Sequence, residues 1–229
     1  MREMLVCVAR RSAVVIPLAA AVAWTAPACA QAAEPVGWQA GDVVVKAGVA
    51  GIFFNSSAKI SLNGVEVPGA SAHLTNNATP SFELEYFPAR NVSVALLGGI
   101  PPQNKAIATG TLASLGEVGR IRYGLGVAVV RFHANASGRL SPFAGVGIGR
   151  FFVFSTQDGS VQYLHANSGW GPFVQAGADY HFNRHWGLQA TAAFLPIKSD
   201  ATGTVHGAPV TSRTTINSLV AKVALSYRF

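Results

Sequence analysis

Residues 219–229 read Leu-Val-Ala-Lys-Val-Ala-Leu-Ser-Tyr-Arg-Phe, and the two sides of this stretch differ in polarity. The odd-numbered positions are apolar or aromatic. The even-numbered positions include both cations, Lys222 and Arg228, and the hydroxyl of Ser226. A period of two along a whole strand indicates one face in an apolar medium and one in a polar interior. A soluble sheet can show the same pattern, so other segments must distinguish the two.

The first thirty residues have the three parts of a secretory signal peptide. Three arginines form a basic head, an apolar run covers residues 12–24, and residues 28–30 are Ala-Cys-Ala. The apolar run is shorter than the roughly 20 residues of a membrane-spanning helix. We therefore expect residues 1–30 to be removed and residues 31–229 to form one mature domain. An N-terminal membrane anchor is the alternative.

Composition excludes several classes of protein. Both cysteines lie in the first thirty residues, so the mature chain offers neither a disulfide nor a thiolate metal site. The 17 Lys and Arg exceed the 10 Asp and Glu, which suits anionic lipid head groups. These cations form no cluster of the kind that binds nucleic acid, so no nucleic-acid partner is expected. Apolar residues alternate in short stretches, as they do in membrane β-barrels.

Eight candidate strands are separated alternately by long and short connections. The strands are predicted over residues 42–54, 81–87, 92–100, 119–133, 141–154, 171–182, 186–197 and from about 214 onward. The long connections are residues 55–79, 101–118, 156–167 and 198–213. Short turns on one side and long loops on the other are typical of an outer-membrane barrel. The sequence predicts an all-β fold, an eight-stranded antiparallel up-and-down transmembrane β-barrel.

Alternation assigns each side chain of a strand to the lipid or to the lumen. In the fourth strand, the apolar row over residues 121–129 is expected to face outward, with Arg120 and Arg122 inward. In the fifth strand, Arg150 falls on the outward row, where it could meet phosphates at the outer boundary or mark a bulge. The polar residues expected to face inward are Lys46, Glu83, Glu85, Arg120, Arg122, Gln175, Asp179, Lys222 and Arg228.

These inward residues have two interpretations. They could act as a polar filter for a substrate, or they could pair with one another and seal a narrow barrel. We favour the paired network, because unpaired charges in a confined lumen are costly and eight strands leave little internal space. Nearer the long loops the inward row is apolar, which suits a hydrophobic cargo or simple packing: Ala50, Ile52, Leu97, Ala193 and Leu195.

The chain resembles the OmpW family of small outer-membrane proteins over nearly all of its mature length. Short motifs in matching order and spacing carry the resemblance. They are residues 46–48 (KAG), 75–77 (TNN), 88–97 (PARNVSVALL), 142–147 (PFAGVG), 168–171 (SGWG), 175–180 (QAGADY), 183–186 (NRHW) and 227–229 (YRF).

The resemblance implies a narrow, largely apolar passage for passive uptake of small hydrophobic molecules, with lateral release into the bilayer. By position, Leu97 and Trp170 match residues that constrict the passage in the family. Alternation counted from Val174 turns Trp170 outward, so an inward Trp170 requires an irregularity at Gly171 and Pro172. The resemblance also makes Tyr227 and Phe229 an assembly signal for the barrel assembly machinery. Outer-membrane lipids and lipopolysaccharide are further expected partners.

Two other functions remain open. A structural or adhesive barrel would have a closed lumen and loops that bind partners. A lipid-modifying enzyme would need a nucleophile beside a base, and the nearest local arrangement is His165 close to Ser168. We do not expect an enzyme, because no histidine stands in a recognisable pairing with a serine. No cofactor is expected, and no metal site either, because no two histidines share ligand-like spacing on a strand face. The solute and the oligomeric state are not specified by the sequence.

Overall fold

The computed structural model describes residues 36–229, so the predicted signal segment lies outside the described residues. A short 3-10 helix occupies Ala113–Leu115, and no helix in residues 36–229 is long and apolar enough to cross a membrane. The strands, in chain order, are β1 (Val43–Leu62), β2 (Val65–Glu66), β3 (Ala70–Leu74), β4 (Asn77–Ala89), β5 (Val92–Gly99), β6 (Gln103–Gly110), β7 (Glu117–His133), β8 (Leu140–Asp158), β9 (Gln162–Ala166), β10 (Gly169–His181), β11 (Trp186–Val205) and β12 (Ala208–Arg228).

Eight of these strands form a closed antiparallel ring. The order around the ring is β1, β4, β5, β7, β8, β10, β11 and β12, and β12 pairs again with β1. Tight turns at residues 90–91, 134–139 and 182–185 join strands at one end, here called the turn end. The short strands β2, β3, β6 and β9 belong to the opposite, loop end. The predicted eight-stranded up-and-down barrel is confirmed.

The outer surface of the ring is apolar. Along each strand, the side chains that form it alternate with side chains that point into the lumen. On β12, Leu219, Val223 and Leu225 are exposed, whereas Lys222 and Arg228 are buried. The other ring strands also carry exposed apolar rows, as expected where a barrel wall meets hydrocarbon. Large exposed side chains on this surface include Val49, Phe53, Phe82, Leu84, Leu96, Val130, Phe132, Val146, Ile148, Val174, Phe194 and Trp186. These rows define a membrane-spanning barrel.

The strands extend further toward the loop end than the sequence predicts. β11 and β12 pair from Trp186 opposite Tyr227 up to Val205 opposite Ala208, so the predicted connection over residues 198–213 is wrong. His206 and Gly207 close this hairpin with φ of 48° and 84°, as a two-residue type I′ turn requires. The segment is rich in Thr, Ser and Val, which favour extended backbone even where apolar residues no longer alternate.

The fourth predicted strand, β7, has the opposite facing from the prediction. Tyr123, Val127 and Val129 are buried inside the barrel, whereas Arg120 and Arg122 are exposed on its outside. Residues 127–130 are all apolar, because the lumen is itself apolar at this level. Polarity alone therefore could not assign the two rows of this strand to the lipid and the lumen.

Candidate functional site

The half of the lumen nearest the turn end is filled by a buried ionic cluster. We call this the turn-end cluster, and it consists of Lys46, Glu83, Glu85, Arg131, His133, Asp179 and Lys222. The side chains come from five ring strands, β1, β4, β7, β10 and β12, and each lies on the inward row of its strand. Because inward and outward side chains alternate along a strand, all of these charges point toward the barrel axis.

Every charged member of the turn-end cluster contacts a group of opposite sign. The Lys46 ammonium lies 2.5 Å from Glu85, 3.0 Å from Asp179 and 3.5 Å from Glu83. Arg131 donates to Glu83 and, at 2.9 Å, to Glu85, while Lys222 donates to Glu83. Three cations therefore face three carboxylates. Such contacts are those of a mutually paired network, and they leave no unpaired charge to orient a passing solute.

A buried serine beside the turn-end cluster, Ser93, lies in line with the histidine and the aspartate of that cluster. The Ser93 hydroxyl lies 3.0 Å from Nε2 of His133, whose Nδ1 lies 3.7 Å from the Asp179 carboxylate. The Ser93 hydroxyl also donates to Glu85 at 2.6 Å. All of these side chains are buried. A nucleophile must reach its substrate, whereas this serine is covered by a packed floor and its hydroxyl donates a hydrogen bond to a carboxylate.

That floor is formed by the segment that precedes β1. Trp38 is 1% exposed, and its ring stacks on Phe87 with centroids 4.5 Å apart and meets His181 edge-on at 4.4 Å. The Trp38 backbone N–H donates to the carbonyl of Ala136 in the turn between β7 and β8 (2.6 Å). The indole thereby covers the turn-end cluster, with the Lys46 ammonium 5.6 Å from its ring centroid. The lumen is closed at the turn end.

The half of the lumen nearest the loop end is apolar and hollow. A cavity of about 200 Å³ lies among the extended strand ends and the short strands around them. Its wall is almost wholly aliphatic, and its floor is formed by Leu74, Ile121, Phe151 and Ile216. An apolar cavity of about 150 Å³ can stay dry and bind benzene. This larger cavity is therefore suited to a small hydrophobic molecule.

Aromatic rings separate this cavity from a second, smaller one below it. Tyr123 stacks on Phe151 with ring centroids 4.7 Å apart, and Phe54 meets Tyr123 edge-on at 5.8 Å. Phe151 lines the upper cavity, and Tyr123 lines the lower one, whose volume is about 70 Å³. Leu97 also lines the lower cavity, on the inward side of β5. The rings lie between the two cavities, and a constriction at Leu97 stays a prediction.

The lower cavity lies against a break in the hydrogen-bond ladder of the barrel wall. The ladder between β5 and β7 ends at Leu97 opposite Val127, and pairing of β7 with β6 begins at Arg122 opposite Gln103. Between these points, a hydrogen bond from the Tyr123 N–H to the carbonyl of Pro102 (3.2 Å) joins β7 to the segment between β5 and β6. The edges of the break line the lower cavity and are small or apolar: Gly98, Gly99, Ile100, Pro102, Gly124 and Leu125.

Three predicted site residues do not lie where a lumen role requires. Trp170 is 59% exposed on the outer wall, because the pairing of β8 with β10 continues without irregularity through Gly171 and Pro172. The expected constriction at Trp170 is therefore corrected. Arg120 and Arg122 also lie outside the lumen network, and Arg120 instead pairs with Glu117 at 2.7 Å on the exposed loop end.

Several lumen residues escaped the sequence prediction. Arg131 and His133 belong to the turn-end cluster, and counting inward positions from them would have given β7 its correct facing. By contrast, the sequence predicts that Gln175 points inward, and in the structure it lies beside Arg131. Trp38 carries no periodic signal, since it precedes the first strand. Among residues 36–229, no group of three or more His, Asp or Glu side chains is arranged to hold a metal ion.

A closed ring of eight strands with an apolar exterior, short turns at one end and long extensions at the other defines a small outer-membrane β-barrel. The sequence model of the OmpW family matches residues 39–229. The chain belongs to the OmpW family, and its place is the outer membrane of a Gram-negative bacterium.

Relatives and a solved structure agree with this assignment. The chain is 28% identical to outer membrane protein AlkL of Ectopseudomonas oleovorans, over 86% of each chain. It is 30% identical to dibenzothiophene metabolism operon protein PahQ of Pseudomonas aeruginosa, over 80% of this chain and 86% of that protein. The crystal structure of outer membrane protein OprG from Pseudomonas aeruginosa has the same fold, with a TM-score of 0.80 and 18% identity over 86% of this chain and 99% of that one.

Proposed function

We propose that this barrel is a passive route for small, uncharged hydrophobic molecules. The molecule would enter the upper cavity from the loop end, pass the rings of Tyr123 and Phe151, and leave from the lower cavity through the break between β5 and β7. The observation that carries the proposal is the alignment of two apolar cavities with a break in the wall. Partition into an apolar slot needs no energy source beyond a concentration gradient.

The closed turn end supports a lateral exit rather than a straight passage. A hydrophobic molecule that reached the turn-end cluster would have to displace paired, buried charges and the Trp38 floor. Separating such charges is unfavourable in a confined site of low polarity. The break beside Leu97 opens instead on the apolar outer wall, where a hydrophobic molecule can partition into lipid.

The name of one relative supports a hydrophobic cargo. PahQ is described by its place in a dibenzothiophene metabolism operon, and dibenzothiophene is a fused, uncharged aromatic molecule. A cavity with a largely aliphatic wall and the ring of Phe151 in its floor matches ligands of that class by exclusion of water and ring packing. We propose this class of ligand for the present chain and name no single compound.

The test is influx of naphthalene into vesicles whose outer leaflet contains lipopolysaccharide, read from its fluorescence in a trapped cyclodextrin. Replacing Leu97 by Arg places a charge in the lower cavity, and we expect protein-dependent influx to fall to the level of empty vesicles. Thr211→Arg adds the same charge on the exposed loop end and should leave influx within twofold. Equal influx with and without the wild-type protein would refute the proposal and favour a structural barrel.

The enzyme alternative is addressed in the same vesicles. A lipid-modifying barrel would release fatty acid from labelled lipid, and release would depend on Ser93 or on His165. We expect no release above that of empty vesicles from the wild-type chain. Release that Ser93→Ala or His165→Ala abolishes would assign catalysis to the barrel.

A further inference from the structure

Arg150 occupies an unusual place on the outward row of β8. Val146 and Ile148 precede it on that row and Phe152 and Phe154 follow it, and all four are exposed apolar side chains. The strand is regular at this point, since Arg150 pairs in register with Gly126 on one side and with Trp170 on the other. A bulge therefore does not explain the arginine, and its charge lies on the outer wall.

The guanidinium of Arg150 is held by two aromatic rings. It lies 4.8 Å from the ring centroid of Phe152 and 4.7 Å from that of Trp170. Its Nε is buried and has no hydrogen-bond partner among the described residues, and no carboxylate of residues 36–229 lies within 4.0 Å of it. Aromatic rings beside a guanidinium leave its terminal N–H groups free to donate.

The height of Arg150 on the wall coincides with the outer boundary of the hydrocarbon. It lies about ten residues along β8 from Leu140 at the turn end. A tilted strand of about nine to eleven residues spans the hydrocarbon core. An arginine at the middle of that core would be strongly unfavourable, and the penalty nearly vanishes at the interface. Trp170 and Phe152 beside it are the aromatic residues expected at this level.

A second cation lies across Trp170 from Arg150. A Cβ placed on Gly169 would lie 2.6 Å from the carbonyl oxygen of Lys198, which sets this part of β11 directly against the start of β10. Lys198 is exposed and shares the outward row of β11 with Phe194. Asp200, two residues further toward the loop end, has Arg213 as its cross-strand neighbour. The wall around Trp170 therefore carries an excess of positive charge.

We propose that Arg150 and Lys198, on either side of Trp170, bind the phosphate of an outer-leaflet glycolipid. The guanidinium edge donates to the phosphate oxygens in a charge-assisted, bidentate geometry, and the ammonium supplies a second positive charge. The rings of Trp170 and Phe152 lie against the base of the lipid, at the level where its acyl chains begin. This site lies on the outer wall and is independent of what passes through the lumen.

The experiment titrates the full-length barrel in detergent with lipid A and counts bound lipid by native mass spectrometry. Lipid A from which phosphatase has removed both phosphates is the second probe, and inorganic phosphate in excess is the competitor. We expect the phosphorylated lipid to bind at least tenfold more tightly than the dephosphorylated one, with no displacement by inorganic phosphate. We expect Arg150→Gln to lose about tenfold of that affinity and Arg150→Lys to lose less, because it retains charge but not the planar fork.

Arg139→Gln is the matched control, since it removes an exposed arginine at the turn end. It should leave lipid A binding within twofold. Each variant is first shown to form a heat-modifiable barrel. If Arg150→Gln does not fold, the loss of affinity in Arg150→Lys still tests the site. Equal affinity for the two forms of lipid A, or unchanged binding by Arg150→Gln, would overturn the site. Full displacement by inorganic phosphate would also overturn it, because the ligand would then be a soluble anion.

Discussion

The two halves of the lumen share one wall and have opposite interiors. At the turn end the inward rows carry ions that neutralise one another, and the space is filled. At the loop end the same strands carry aliphatic and aromatic side chains inward, and two cavities remain. In both halves the outward rows of the wall are apolar, because they face lipid. The difference teaches that the inward row of each strand is free to specify either a seal or a passage.

Physical chemistry explains why the filled half is the polar one. A buried charge is tolerable only with partners at contact distance, so the turn-end cluster must be packed tightly to exist at all. An apolar side chain has no such requirement, and a gap beside it loses only packing energy. Space for a ligand is therefore easier to keep among Leu, Val and Phe than among Lys and Glu.

The largest expected effect is from removing one charge of the filled half. Glu85→Gln keeps the size of the side chain but leaves Lys46 and Arg131 with an incomplete set of carboxylates. We expect a loss of about 3–5 kcal/mol in the free energy of unfolding, measured by urea titration of the barrel in vesicles. Glu66→Gln, which removes an exposed carboxylate 3.8 Å from Lys59, should change it by less than about 0.5 kcal/mol. Similar values for the two variants would contradict a paired seal.

A smaller effect should follow from opening the floor. Trp38→Ala removes a buried indole, and we expect about 3 kcal/mol of lost stability, the low end for a large aromatic. Naphthalene influx should stay within twofold of the wild type, because the proposed exit lies in the wall above the turn-end cluster. An influx increase of tenfold in Trp38→Ala would place the exit at the turn end instead.

The smallest effect is expected at Trp170. Its side chain lies on the outer wall against Arg150, so Trp170→Ala should leave naphthalene influx within twofold of the wild type. Leu97→Arg, with its side chain in the lower cavity, serves as the inward comparison in the same assay. A tenfold change of influx in Trp170→Ala would instead assign this residue a role in the passage.

Much of the wall could be predicted from the sequence, because lipid demands an apolar residue at every second position of a strand. Leu219, Val223 and Leu225 alternate with Lys222, and the structure places the two rows on opposite sides. The same logic located Lys46, Glu83, Glu85 and Asp179 in the lumen. It failed on β7, where an apolar lumen made both rows alike.

The cavities and the floor could not be predicted for a different reason. A cavity depends on how far neighbouring strands are staggered and on where one ladder stops, as the β5–β7 ladder stops at Leu97. Trp38 finds its partners about 50 to 140 residues away in Phe87, Ala136 and His181. At Trp170, family resemblance and alternation disagreed, and the regular pairing of β8 with β10 decided for alternation. The assembly role of Tyr227 and Phe229 stays a prediction.

The contacts of Arg228 tie the floor of the lumen to the last strand of the barrel. Its guanidinium donates to the carbonyl of Gly37 (2.6 Å) and lies 3.2 Å from Asp42, so the end of β12 holds the segment that carries Trp38. The Trp38 ring, in turn, rests on residues of β4 and β10. The floor therefore has its full set of contacts only when β12 is paired with β1 and the ring is closed. In a variant that keeps Trp38 as its single tryptophan, we expect a change in indole fluorescence that accompanies closure of the barrel.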